Sequence, residues 1–173
     1  MNCRKYEELY RTVLNEHREV FEKQDLDEVT LFMEQIRKAD RIFVMGVGRE
    51  GIAGRSFAMR LMHLGKEVHW IWDDTTPGMH EGYLLSAIKG SGKIGHIHYV
   101  VKQAKETGAA ITVVTGGPKK RQPAWQTVCY LFRQVYLTGQ TLERYRPYSR
   151  WEICLSNTCF CCLILLLCCW KKR

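Results

Sequence analysis

The sequence predicts an α/β protein, a three-layer, doubly wound parallel sheet with two helices in front of it and a tail of different character behind. Three observations predict this. Apolar residues recur at helical spacing as far as Lys38 and then condense into short runs. Two of those runs end in glycine-rich turns that lead into helical stretches, the order of elements that right-handed crossovers require. Charge also divides the chain, because residues 1–118 carry 16 Lys+Arg against 16 Asp+Glu whereas residues 119–173 carry 10 against 2.

The elements follow in order. From Tyr6 to Phe21 the residues Tyr6, Leu9, Tyr10, Val13, Leu14, Val20 and Phe21 fall at helical spacing among Glu, Arg and Lys, which makes an amphipathic helix. Asp25 to Lys38 repeats the pattern through Leu26, Val29, Phe32, Met33 and Ile36, with Asp25 placed as a cap and Glu28 three residues on. Arg41 to Met45 is a short apolar run ending in glycines, which suits a buried parallel strand. Helix resumes from about Gly51 through Leu64. Val68 to Trp72, Leu84 to Ile88 and Ala110 to Thr115 read as three further strands, and Gly95 to Thr107 as the helix between the last two.

The chain is long enough for one domain with a real core and too short for two ordinary ones. Residues 1–118 form that domain and residues 119–173 the tail. A net charge of +8 would ordinarily suggest nucleic acid or an acidic membrane as partner, but all of it lies in the tail, so the neutral body predicts no nucleic-acid partner. Seven of the eight cysteines lie there too. Met1 to Gln24 is charged and lacks the apolar centre of a secretion signal, which predicts a cytoplasmic chain with reduced thiols. The apolar run Cys159 to Trp170 is too short to span a membrane, and no membrane is expected. Its adjacent pairs Cys161-Cys162 and Cys168-Cys169 do not have zinc-ligand spacing, and no metal is expected.

The chemistry concentrates in two turns. Gly46-Val47-Gly48-Arg49-Glu50-Gly51 joins a strand end to a helix start, where glycine lets backbone N–H groups approach a ligand. The same spacing suits a dinucleotide, with Asp73 or Asp74 as the ribose partner, or a tight turn with no ligand at all. Lys89-Gly90-Ser91-Gly92-Lys93 follows another strand and precedes a helix. Both turns would open at the carboxyl edge of one sheet, where amides and the Ser91 hydroxyl offer a phosphate cradle. General acid/base chemistry needs a positioned carboxylate or imidazole, and Glu81, His80 and His63 are the nearest candidates, with Glu81 first. His96 and His98 lie two apart on a predicted helix and point to different faces.

The stretch Phe57 to Gly65, then Thr75-Thr76-Pro77, then Glu81-Gly82, resembles bacterial and archaeal phosphohexuloisomerases of the SIS (sugar isomerase) family over residues 25–118. The resemblance implies a five-stranded, flavodoxin-like parallel sheet in a homo-oligomer, dimeric or tetrameric. It further implies interconversion of a 3-ketohexulose 6-phosphate and fructose 6-phosphate through an enediol, without metal or organic cofactor. Carried over by position, Gly46, Gly48, Arg49, Thr75, Thr76, Gly90, Ser91 and Gly92 match the ligand-binding loops, joined here by Glu50, Lys89 and Lys93. Glu50 stands where the family has serine, and the second loop, Ser-Gly-Ser-Gly-Glu-Thr in the family, reads Lys89-Gly90-Ser91-Gly92-Lys93-Ile94. A non-catalytic phosphosugar sensor is the alternative reading.

The tail departs further from the family. A Leu-Ala-Asp strand and a Met-Gly-Asn-Leu-Phe-Glu motif, whose glutamate is implicated in catalysis, are both missing, so the catalytic inventory of this chain is incomplete. Codons chosen for Trp151 to Leu155 and read one base earlier return Met-Gly-Asn-Leu-Phe. The same shift from Ala124 to Cys129 returns Met-Ala-Asp-Cys-Val. An out-of-frame tail is therefore expected, and the nucleotide sequence of the gene tests it.

Overall fold

Caps and periodicity decide where the elements begin. In the computed structural model, which describes residues 3–22, 24–89 and 95–115, helices α1 (Cys3–Glu22) and α2 (Leu26–Lys38) come first. Strand β1 (Arg41–Gly46), helix α3 (Gly48–His63), strands β2 (Glu67–Trp70) and β3 (Leu84–Lys89), helix α4 (Gly95–Glu106) and strand β4 (Ala110–Thr115) follow. Asp25 caps α2 as its position suggests, accepting the N–H groups of Asp27 and Glu28 at 2.9 and 3.3 Å. Such a cap contributes on the order of 1 kcal/mol.

The four strands are parallel in the order β2-β1-β3-β4. Alternation sends their side chains to two separate cores. Ile42, Val44, Leu84, Ile88 and Val114 meet Phe32 and Ile36 of α2 and Phe57 and Leu61 of α3 on one face. Phe43, Met45, Leu85, Ala87, Ile111 and Val113 meet Ile97, Val101 and Ala104 of α4 on the other. This is the predicted three-layer arrangement of the flavodoxin-like type, with continuous apolar strands because both faces are covered.

One boundary departs from the sequence reading. β2 ends at Trp70 and not at Trp72, because the chain turns there, with the Asp73 N–H donating to the Trp70 carbonyl at 3.0 Å. Between β2 and β3 no helix forms. Residues 71–83 instead run as an irregular strap, with Ile71, Met79 and Tyr83 laid on the second core. Among the described residues of α1, Val20 and Phe21 at its C-terminal end join the body, while Tyr6, Tyr10, Val13 and Leu14 stay exposed. The expected fifth strand, the loop residues Gly90, Ser91, Gly92 and Lys93, and the tail with its out-of-frame reading fall outside the described residues.

Candidate functional site at the carboxyl rim of the sheet

β1 and β3 are parallel neighbours, with Gly46 in register with Ile88. The carboxyl ends of the two strands therefore lie side by side at one rim. Three glycines of the first turn do different work. A Cβ on Gly46 would lie 3.0 Å from the Gly51 Cα, and one on Gly51 would lie 2.9 Å from the Gly46 carbonyl oxygen, so this pair lets helix and strand touch main chain to main chain. Gly48 is the turn itself. Its φ of 63° is left-handed, and a Cβ there would face open space. Gly46 and Gly51 thus answer to packing, and Gly48 alone faces outward.

At the start of α3 the N-cap is Val47, and no side chain caps the first turn. Amides at that end are oriented for an anion. Arg49 is exposed and Glu50 part-buried on this turn. At the end of β2, the Thr76 hydroxyl donates to the Trp70 carbonyl at 2.7 Å and the Thr76 N–H donates to the Asp73 carbonyl at 3.0 Å. Thr76 therefore fixes the turn, and the exposed Thr75 is the hydroxyl turned outward with Trp72, Asp73 and Asp74. β3 ends in Lys89, which is half-buried, and burial pushes its ammonium below the ordinary lysine range. A partly dehydrated cation at the mouth of the second loop is suited to an anionic ligand.

The structure places the catalytic candidates away from this rim. His80 and Glu81 do not join this rim, because a parallel connection has to return to the other edge before β3 can begin. Gly82 meets Asp40 there, with the Asp40 N–H donating to the Gly82 carbonyl at 3.2 Å. A Cβ on Gly108, at the start of β4, would lie 3.7 Å from the Glu81 Cβ. The His80 ring sits edge-on to Tyr83 at 5.7 Å, and Arg41 lies over the same Tyr83 ring at 5.2 Å. A six-residue strand separates the two rims by roughly 20 Å. His63 closes α3 at the same far end. His96 and His98 lie on the first turn of α4 and are exposed. Among the described residues no cluster of His, Cys, Asp and Glu could hold a metal ion, and no helix is long and apolar enough to cross a membrane.

No protein-family model matches the chain. A 3-hexulose-6-phosphate isomerase of Mycobacterium gastri is 41% identical over 96 residues, 56% of this chain and 48% of that protein. A crystal structure from Methanococcus jannaschii, from which a molecular function of 3-hexulose-6-phosphate isomerase was inferred, superposes with a TM-score of 0.78 at 28% identity. It covers 96% of this chain and 90% of that one. The Vibrio vulnificus NanR protein complexed with ManNAc-6P shares the fold with a TM-score of 0.68 at 17% identity, over 93% of this chain and 61% of that one. The chain spans 64% of one curated relative and about half the length of the others it matches.

Proposed function

Since the chain belongs to the SIS (sugar isomerase) domain family, we propose that its carboxyl rim binds a sugar phosphate and interconverts a 3-ketohexulose 6-phosphate with fructose 6-phosphate by enediol proton transfer. One observation carries the reading. The carboxyl ends of β1 and β3 share a rim at which the first turn of α3 has no side-chain cap and Lys89 is half-buried. Backbone amides of Gly48 and its neighbours, Arg49, Thr75 and Lys89 supply the anion and hydroxyl contacts, with Gly90, Ser91, Gly92 and Lys93 of the second loop expected beside them. Three or four charge-assisted hydrogen bonds of about 1.5–3 kcal/mol each support micromolar binding once association costs are met.

A second reading, a sensor that binds the phosphosugar without turning it over, draws support from His80 and Glu81 lying at the far rim and from the fold shared with a ManNAc-6P complex. The deciding experiment measures thermal stabilisation and isomerase turnover with fructose 6-phosphate, on the present chain and on its frame-corrected version. Stabilisation with turnover supports the isomerase, and stabilisation without turnover in both versions supports the sensor. Stabilisation by NAD and not by the sugar phosphate refutes both.

A further inference from the structure

We infer that α1 is the surface on which a second copy of this chain docks, the two α1 helices lying antiparallel about a two-fold axis, independently of the sugar-phosphate reading above. At about 100° per residue, Tyr6, Tyr10, Val13 and Leu14 share with Val20 and Phe21 an apolar stripe roughly 120° wide. The last turn of that stripe sits in the core, where Val20 is buried and Phe21 packs beside it. Its earlier turns face water, with Tyr6 61%, Tyr10 39%, Val13 43% and Leu14 61% exposed. A helix draws most of its stability from packing its apolar face, so a stripe that runs on past the core calls for a further partner.

Charge identifies that partner. Helix α2 follows the macrodipole rule, with Asp27 and Glu28 in its first turn and Arg37 and Lys38 in its last. Helix α1 reverses it, since no acid lies in its first turn and no base in its last. Its sequence opens on Arg4-Lys5 and closes on Glu19 and Glu22. In one copy alone, each end therefore carries the charge that its own dipole disfavours. An antiparallel copy brings its positive helix start to the Glu19 and Glu22 end, and the two-fold axis makes the same match at the other end. A parallel copy would set like ends together. Between the ends, the Arg11 Nη2 lies 2.7 Å from the Glu7 Oε1 within the one helix, so the middle offers a second copy its apolar stripe and no net charge from that pair. The acids Glu7, Glu8, Glu19 and Glu22 also argue against an anionic membrane as the cover, because a helix that lies on such lipid carries a basic polar face.

Sedimentation velocity of the full chain over a range of concentrations tests this. The wild type is expected to pass from monomer to dimer as concentration rises, and Leu14→Glu, at an exposed position, to weaken dimerisation at least about tenfold. Glu19→Lys with Glu22→Lys in one preparation, and Arg4→Glu with Lys5→Glu in another, are each expected to weaken it as well. An equal mixture of the two is expected to recover wild-type association, which also shows both variants to be folded. A wild type that stays monomeric at every concentration overturns the proposal, and one that does so while sedimenting with vesicles of anionic lipid replaces the second copy with a membrane surface. Dimerisation of Leu14→Glu at wild-type strength overturns the assignment of the surface. Dimerisation indifferent to both charge reversals overturns the antiparallel arrangement.

Discussion

The two rims of the sheet spend their polar groups differently. At the amino rim they are tied to one another. Arg41 bonds Glu67 at 2.6 Å and covers Tyr83, His69 reaches Glu67 at 3.2 Å, and the Lys66 ammonium donates to the carbonyls of Arg37 and Ala39 at 2.9 and 3.0 Å. At the carboxyl rim an uncapped helix start, an outward-facing Gly48 and the exposed Thr75 are grouped round a half-buried lysine. The difference lies in how each edge is built: the amino rim is held by ion pairs between side chains, whereas the carboxyl rim opens with a helix start that no side chain caps, whose backbone N–H groups suit the proposed phosphate.

The contrast can be broken most forcefully at Gly51. Gly51→Val places a side chain 2.9 Å from the Gly46 carbonyl oxygen, against main chain that cannot yield, and should lift α3 off the sheet. We expect a stability loss of about 1–3 kcal/mol in thermal unfolding and loss of fructose 6-phosphate binding by calorimetry. Lys89→Met comes next, with affinity lower by about tenfold, or 1.4 kcal/mol. On the proposed reading the protonated lysine holds the phosphate. Affinity should therefore decline as pH rises, from a lower pH than an ordinary lysine would set, because burial depresses the Lys89 pKa. A flat profile in Lys89→Met checks the sign.

Arg41→Met sharpens the comparison from the other side. It removes an ion pair and a cation–π contact at the amino rim, and should lower stability by about 1 kcal/mol while leaving sugar-phosphate affinity at the wild-type value. The smallest effect is expected at Glu67. The hydrogen bond with His69, and then Arg41, hold its carboxyl below the ordinary range. A carboxyl depressed in the folded state contributes stability above its unfolded pKa and loses it as pH falls through the folded value. Urea midpoints across the acid range should show a slight fall that is absent in Glu67→Gln.

Much of the fold was legible in the chain. Asp25 announces its helix by side-chain chemistry, and β1, β3 and β4 announce themselves as short apolar runs that only a sheet covered on both faces explains. The strap 71–83 was not legible as structure, since it has no period. His80 and Glu81 stand just before β3, and any residue immediately before a parallel strand belongs at the amino rim.

The contact between Gly46 and Gly51 makes the junction of α3 and β1 out of peptide groups and not of side chains. Residues standing round that junction can then drift without tilting it. One architecture can in this way change its guest, or trade a serine for a glutamate at position 50, while two glycines hold the foundation level.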